Sequence, residues 1–386
     1  MDRKAFIKVC GLLGIGIPFL PSCKPIQKVA ASHSNEKVLI IGAGAAGLSA
    51  AYLLNQQGIS VEIVEASSIY GGRMKRTREF ADFPIPTGAE WLHTDRSILN
   101  EMVNDKSVEI KTITKPYNFD VDYALIDGKK ENLKKLGFTI DQKFINSTWL
   151  DFFETYIIPS IRHTIRFNHI VRSIDYTSET IEVKTEEEKL TADKVIVTVP
   201  VKLLQNNSIE FTPELPPEKA EAIKQVTVWG GCKAFFEFSE KFYPTAADFD
   251  AIPAKQGHKL FYDAAYGQAT QQHILGVFAV GPISKPYLER QGEGRKTYLL
   301  EELDRSFDGK ASPNYKKHIF QNWSEEPFTQ GAYVHYFENW KHIRTLGKPV
   351  GNKLYFAGDA YTDGSEWSSV HAAAQSAKKV VEQLMG

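Results

Sequence analysis

Three glycines, Gly42, Gly44 and Gly47, and an acid at Glu65 have the types and spacing to hold a dinucleotide. In G-x-G-x-x-G the first glycine permits a tight turn, the second lets a phosphate reach the backbone, and the third lets a helix sit close to its strand. Free N–H groups at a helix start, with the helix dipole behind them, favour an anion there. A carboxylate at the end of the next strand, roughly 20 residues on, accepts hydrogen bonds from ribose hydroxyls. The charge of Glu65 also repels a 2′-phosphate, which argues against NADP. A glycine loop alone is weak; with its flanking elements and acid it is specific.

The elements that must position these groups are legible around them. Lys37 to Ile41 is short, β-branched and apolar, the pattern of a strand buried on both faces. A helix follows from about Ala45 to Gln57, Gly58 stops it, and "ISVEIVEA" forms the second strand. Further along, "HIVRSIDY" and "IEVKT" read as a hairpin, and "ADKVIVTVP" as a buried strand ending at Pro200. Leu354 to Ala357 reads as another strand. From Ser369 onward, Val370, Ala373, Ala374, Ala377, Val381 and Leu384 recur with helical period. The first amides of that helix offer a second place that favours negative charge.

The whole chain sets bounds. Its 386 residues, 42% hydrophobic, suffice for real cores, and the length suggests about two or three domains. With 46 basic and 47 acidic side chains there is no basic footprint, which excludes nucleic acid as a partner. Three cysteines, Cys10, Cys23 and Cys232, provide neither a disulfide framework nor a zinc site. No H-E-x-x-H spacing appears among the ten histidines, so no metal is expected.

The N-terminus reads as a leader. Arg3, Lys4 and Lys8 precede the apolar "VCGLLGIGIPFL", which falls short of the roughly 20 residues a spanning helix needs. The following "LPSC" resembles a bacterial lipoprotein box, making residues 1–23 a signal peptide, Cys23 the lipidated residue and 24–35 a linker. Cleavage after Ala31 and a buried N-terminal helix are the rivals. "DRKAFIK" resembles the twin-arginine export motif, with Lys4 in place of the second arginine. The expected location is the periplasm or a membrane-anchored lipoprotein, with membrane contact only through Cys23.

Beyond the glycine loop, "ASSIYGGRM" and "TGAEWLHT" resemble the flavin-containing amine oxidase family, and the likeness runs in pieces from about Lys37 to Gln383. It implies an α/β fold: a discontinuous Rossmann-like FAD-binding domain and a second, mixed-sheet substrate domain. The nucleotide parts would be 36–95, 162–230 and 336–386; the substrate parts would be 96–161, which is reduced, and 231–335. The resemblance further implies that Gly72 and Arg73 contact the flavin cofactor. Ala46, Ala66, Gly88, Ala89, Glu90 and Trp91 would join them, with Val171 at the adenine and Gly358-Asp359 at the ribityl and pyrophosphate. Ser369, Val370 and Ala373 would also bind the cofactor, with the helix's first amides, near Val370 to Ala372, facing flavin N1 and O2. Lys233 in "GGCKAFFEF" matches a lysine that holds a water against flavin N5, and Trp323 and Tyr333 would lie beside the isoalloxazine. Ala332 stands where monoamine oxidases carry a cysteine joined to the flavin, so FAD is expected to bind without a covalent link.

The implied activity is hydride transfer from an amine carbon to flavin, with reoxidation by oxygen to give hydrogen peroxide. Three departures keep other readings open. Pro86 occupies a usually acidic position, the second aromatic of the amine path falls at Ser369, with Trp367 nearby, and Asp95 to Arg166 is short. The chamber is therefore expected to be small, open or completed by a partner, and "WLDFF" reads as plain core. A flavin-dependent C–C desaturase of lipids or polyenes and a non-catalytic flavin-binding lipoprotein are the alternatives.

Overall fold

A computed structural model describes residues 36–248, 256–336 and 338–386. The signal-peptide, linker and Cys23 expectations lie outside the described residues. Among the described residues, no helix is long and apolar enough to cross a membrane.

Val38–Ile41 is the middle of a five-stranded parallel sheet, in the order Leu354–Phe356, Lys194–Val197, Val38–Ile41, Val61–Val64, Ile165–Arg166. Its side chains alternate between two cores. Val38 and Ile40 face the helix Ala45–Gln56, while Leu39 and Ile41 face the opposite layer. A central parallel strand covered on both sides has no polar face to spare, which is why its sequence is uninterrupted apolar. The C-terminal helix Val370–Met385 packs against Ala45–Gln56, with alanines from both helices in the shared core. The other layer contains the hairpin Val171–Asp175 and Ile181–Thr185, which is antiparallel as its sequence suggested.

A seven-stranded mixed sheet forms the second part. Its strand Gly231–Phe238 is buried throughout, between His273–Val280 and Tyr315–Asn322. Cys232, Ala234, Phe236 and Phe238 fill the core under the helix Gly292–Ser306. The period of two puts Lys233 on the face shared with Phe235, toward a second aromatic core.

The reduced segment 96–161 divides by packing. Its helices Ser97–Val103 and Trp149–Tyr156 join the core around Ala45–Gln56, with Trp149, Phe152 and Phe153 fully buried. Truncating either phenylalanine to alanine is worth about 3–5 kcal/mol of stability. Between these helices, Tyr123–Ile126 and Lys129–Asn132 extend the mixed sheet. Gln142–Phe144 forms a small sheet with Trp91–Leu92 and Thr114–Pro116, pairing Lys143 opposite Trp91.

Candidate active site

The glycine loop divides its labour by geometry. Gly42 sits at φ +106°, where a side chain is strained, and Gly47 is so close that a Cβ would lie 1.9 Å from the Gly42 carbonyl oxygen. Gly44 has nothing within 4 Å of an added Cβ; its open side faces a cavity of about 870 Å³. Glu65 accepts hydrogen bonds from the backbone N–H of Ala43 (2.7 Å) and of Ser67 (2.9 Å), which fixes its carboxylate on the cavity wall. Val171 and Ala66 line the same end.

Arg73 is a paired cation. Its guanidinium forks onto both oxygens of Asp359, the Nη1–Oδ2 bond being 3.0 Å, and Nη1 also donates to the Ala332 carbonyl at 2.6 Å. This contact ties the segment after the first nucleotide half to the last strand of the sheet. A planar donor fork is matched to one carboxylate, and both groups face the cavity as a unit.

At the C-terminal helix, the Ser369 hydroxyl accepts from the Ala372 N–H at 3.1 Å, a capping bond that satisfies one free amide of the first turn. Val370 and Ala373 line the cavity beside it. In the same first turn, His371 is buried and its Nε2 meets Glu366.

The substrate end is built from several elements. Lys233 is 4% exposed; its Nζ donates to Glu90 and to the Pro86 carbonyl at 3.3 Å. Glu90 does not present its carboxylate to a cofactor, because Lys143, Lys233 and the Tyr262 hydroxyl all donate to it. Burial pushes the Glu90 carboxyl up, but the two lysines outweigh it and hold it below its ordinary range. Burial pushes Lys233 down to about 8, with Glu90 opposing and Lys143 assisting.

Trp91 donates to the Tyr117 hydroxyl at 2.9 Å and packs on Tyr262 with ring centroids 4.9 Å apart, so it is both core aromatic and cavity wall. Trp323 donates to the Thr87 carbonyl at 3.1 Å. Tyr333 and Tyr336 form a tilted pair, centroids 5.4 Å apart, with the Tyr336 hydroxyl donating to that of Tyr333 at 3.1 Å. Burial holds the Tyr333 phenol far above its ordinary value, so it stays neutral. Tyr336 thus supplies a second ring beside Tyr333 where Ser369 does not. Trp367 is also on the wall, its indole N–H held by the His335 carbonyl.

One cavity therefore touches every expected site residue except Gly47, whose part is packing. Lys143, Tyr262, Tyr336, Glu366 and the His93–Asp141 pair were not singled out from sequence. Tyr336 lies in the same "GAYVHY" stretch as Tyr333, and Gly276 leaves room for the Tyr262 ring, which a Cβ there would approach to 2.3 Å.

A parallel sheet with a glycine loop at its strand ends, an acid on the second strand and a long cavity leading to a lysine and paired aromatics defines a dinucleotide-binding oxidoreductase. FAD fits these residues: open backbone at Gly44, a fixed carboxylate at Glu65, and a volume within the usual range for ligand cavities, about 300–1,000 Å³. The model for flavin containing amine oxidoreductases matches residues 153–385, and that for an NAD(P)-binding Rossmann-like domain matches 40–105. The chain belongs to the flavin-containing amine oxidoreductase family and is an FAD-dependent oxidoreductase.

Among curated relatives, polyamine oxidase 1 of Zea mays is 22% identical, covering 94% of each chain. Polyamine oxidase 2 of Arabidopsis thaliana is 23% identical over 87% of this chain and 85% of its own. The fold is that of putrescine oxidase bound to putrescine, with a TM-score of 0.72 at 15% identity over 91% of this chain and 99% of that one. Cyclohexylamine oxidase from Brevibacterium oxydans IH-35A gives 0.70 at 18% identity, covering 91% and 100%.

Proposed function

We propose that this protein oxidises the C–N bond of a small amine, with oxygen as the final acceptor and hydrogen peroxide as the by-product. The observation that carries the proposal is the continuity of one cavity from the Gly42–Glu65 end to Lys233, Tyr333 and Tyr336. The relatives named above are all amine oxidases by name, which favours C–N oxidation over C–C desaturation and over a non-catalytic role.

Bound FAD supplies a two-electron acceptor. The chain's own contribution is placement and charge. The loop amides and Glu65 would hold the nucleotide, and the Arg73–Asp359 pair lines the same cavity. Tyr333 and Tyr336 line the cavity as a ring pair that would orient the donor carbon, while Lys233 would hold a water and a transferable proton at the cavity wall. The amine must be neutral to release hydride from its α-carbon, and water hydrolyses the resulting imine. Asp141 and Glu366 on the chamber wall favour a donor with a second, cationic group, although each already contacts a histidine.

The test is an anaerobic titration of the yellow protein with mono-, di- and polyamines, followed by flavin absorbance. Bleaching by at least one class supports the proposal. Bleaching only by polyenes or lipids would refute it. Export with a lipid at Cys23 is a separate proposal, resting on the leader pattern of residues 1–23; the mass of the mature N-terminus decides it.

A further inference from the structure

We infer that Glu90 and Lys143 are positioning residues for Lys233: they fix its Nζ at the cavity wall and decide whether that wall carries a positive charge. The inference rests on the reading that Lys233 stands beside the redox-active end of the cofactor.

Three separate elements meet on one carboxylate. Glu90 precedes the short strand Trp91–Leu92, Lys143 comes from the strand paired with it, and Lys233 comes from the mixed sheet. Their side chains are 1%, 3% and 4% exposed. The carboxylate is divided between them: Oε1 takes Lys143, and Oε2 takes Lys233 and the Tyr262 hydroxyl.

Two cations on one anion leave a net positive charge in a dry place, which is costly unless one group sheds its proton. Lys233 is the group placed to do so. It borders the cavity, where water can take the proton, whereas Lys143 does not line it. Burial and the like charge of Lys143 favour that loss, and Glu90 opposes it. The other groups facing this point are the phenols of Tyr262 and Tyr117, held neutral by burial, and His258, whose imidazole burial pushes toward the neutral form. On the wall stand the His93–Asp141 and Lys75–Glu326 couples, each already paired.

Neighbours of opposite sign make a prediction that a merely structural role does not. Removing Lys143 relieves repulsion, so Lys233 keeps its proton to higher pH. Removing the charge of Glu90 does the reverse. The experiment is a pH titration, from about pH 6 to about pH 10, of the flavin absorbance band in the oxidised, substrate-free holoprotein. The wild type is expected to show a transition near pH 8 that is lost in Lys233→Met. Lys143→Met moves it upward by roughly one pH unit, Glu90→Gln moves it downward by a similar amount, and Lys143→Arg leaves it in place.

A transition that is absent in the wild type, or that persists in Lys233→Met, overturns the placement of Lys233 itself. A Lys233-dependent transition that Lys143→Met and Glu90→Gln leave unmoved, or shift in the same direction, overturns the inference alone. Should Glu90→Gln fail to fold with two buried cations, the comparison of Lys143→Met with Lys143→Arg decides: equal midpoints overturn it.

Discussion

Two glycines of one loop separate ligand binding from packing when each is replaced by alanine. At Gly47 a Cβ would lie 1.9 Å from the Gly42 carbonyl oxygen, a backbone atom with no rotamer to relieve it. Overpacking costs roughly 1–3 kcal/mol or more, against a helix-propensity gain of about 1 kcal/mol. Gly47→Ala is therefore expected to lower the melting temperature of the cofactor-free protein by several degrees. At Gly44 the new Cβ meets no protein atom within 4 Å, and the backbone is extended at φ −82° and ψ −172°, where alanine is at ease. Losing glycine at the N-cap costs about 0.5–1 kcal/mol, and the stiffer unfolded chain returns about as much.

Cofactor-free Gly44→Ala should then melt with the wild type, yet its methyl group occupies the approach of the pyrophosphate. Loss of one charge-assisted hydrogen bond, about 1.5–3 kcal/mol, weakens FAD binding roughly 10- to 100-fold. Differential scanning fluorimetry of the cofactor-free proteins and equilibrium dialysis with FAD read the two quantities separately. FAD affinity of Gly44→Ala within threefold of wild type would refute the reasoning, because the phosphate would then not lie over the open face of the loop.

Three further outcomes follow from the geometry. Glu65→Gln replaces a carboxylate that accepts from Ala43 and Ser67 by an amide that can accept only through its one oxygen; FAD affinity should fall at least about tenfold, as dialysis measures. Arg73→Lys cannot fork onto Asp359 while also reaching the Ala332 carbonyl, and should lower the stability of the cofactor-free protein by about 1–3 kcal/mol, as denaturant unfolding measures. Tyr336→Leu removes one ring and its bond to Tyr333; it should raise KM for the preferred amine several-fold and leave FAD affinity unchanged, whereas an unchanged KM would remove Tyr336 from the substrate path.

The sequence by itself determined the nucleotide half of this protein. The apolar strand, G-x-G-x-x-G, the helix after it and the acid at Glu65 interact over short separations, so their roles follow from local sterics and hydrogen bonding. The hairpin and the C-terminal helix were legible because each carries a period that matches its burial, and the strand read as ending at Pro200 because it is an apolar run, although it ends at Val197. Tertiary structure alone decided the charges at the other end. Arg73 meets Asp359 across 286 residues, and Glu90 meets Lys233 across 143 and Lys143 across 53. A side chain's partner depends on which elements pack together, and no local pattern encodes which of 46 basic residues will reach a given carboxylate. Burial of these ions, and hence the charge each carries, exists only once three distant segments have closed around them.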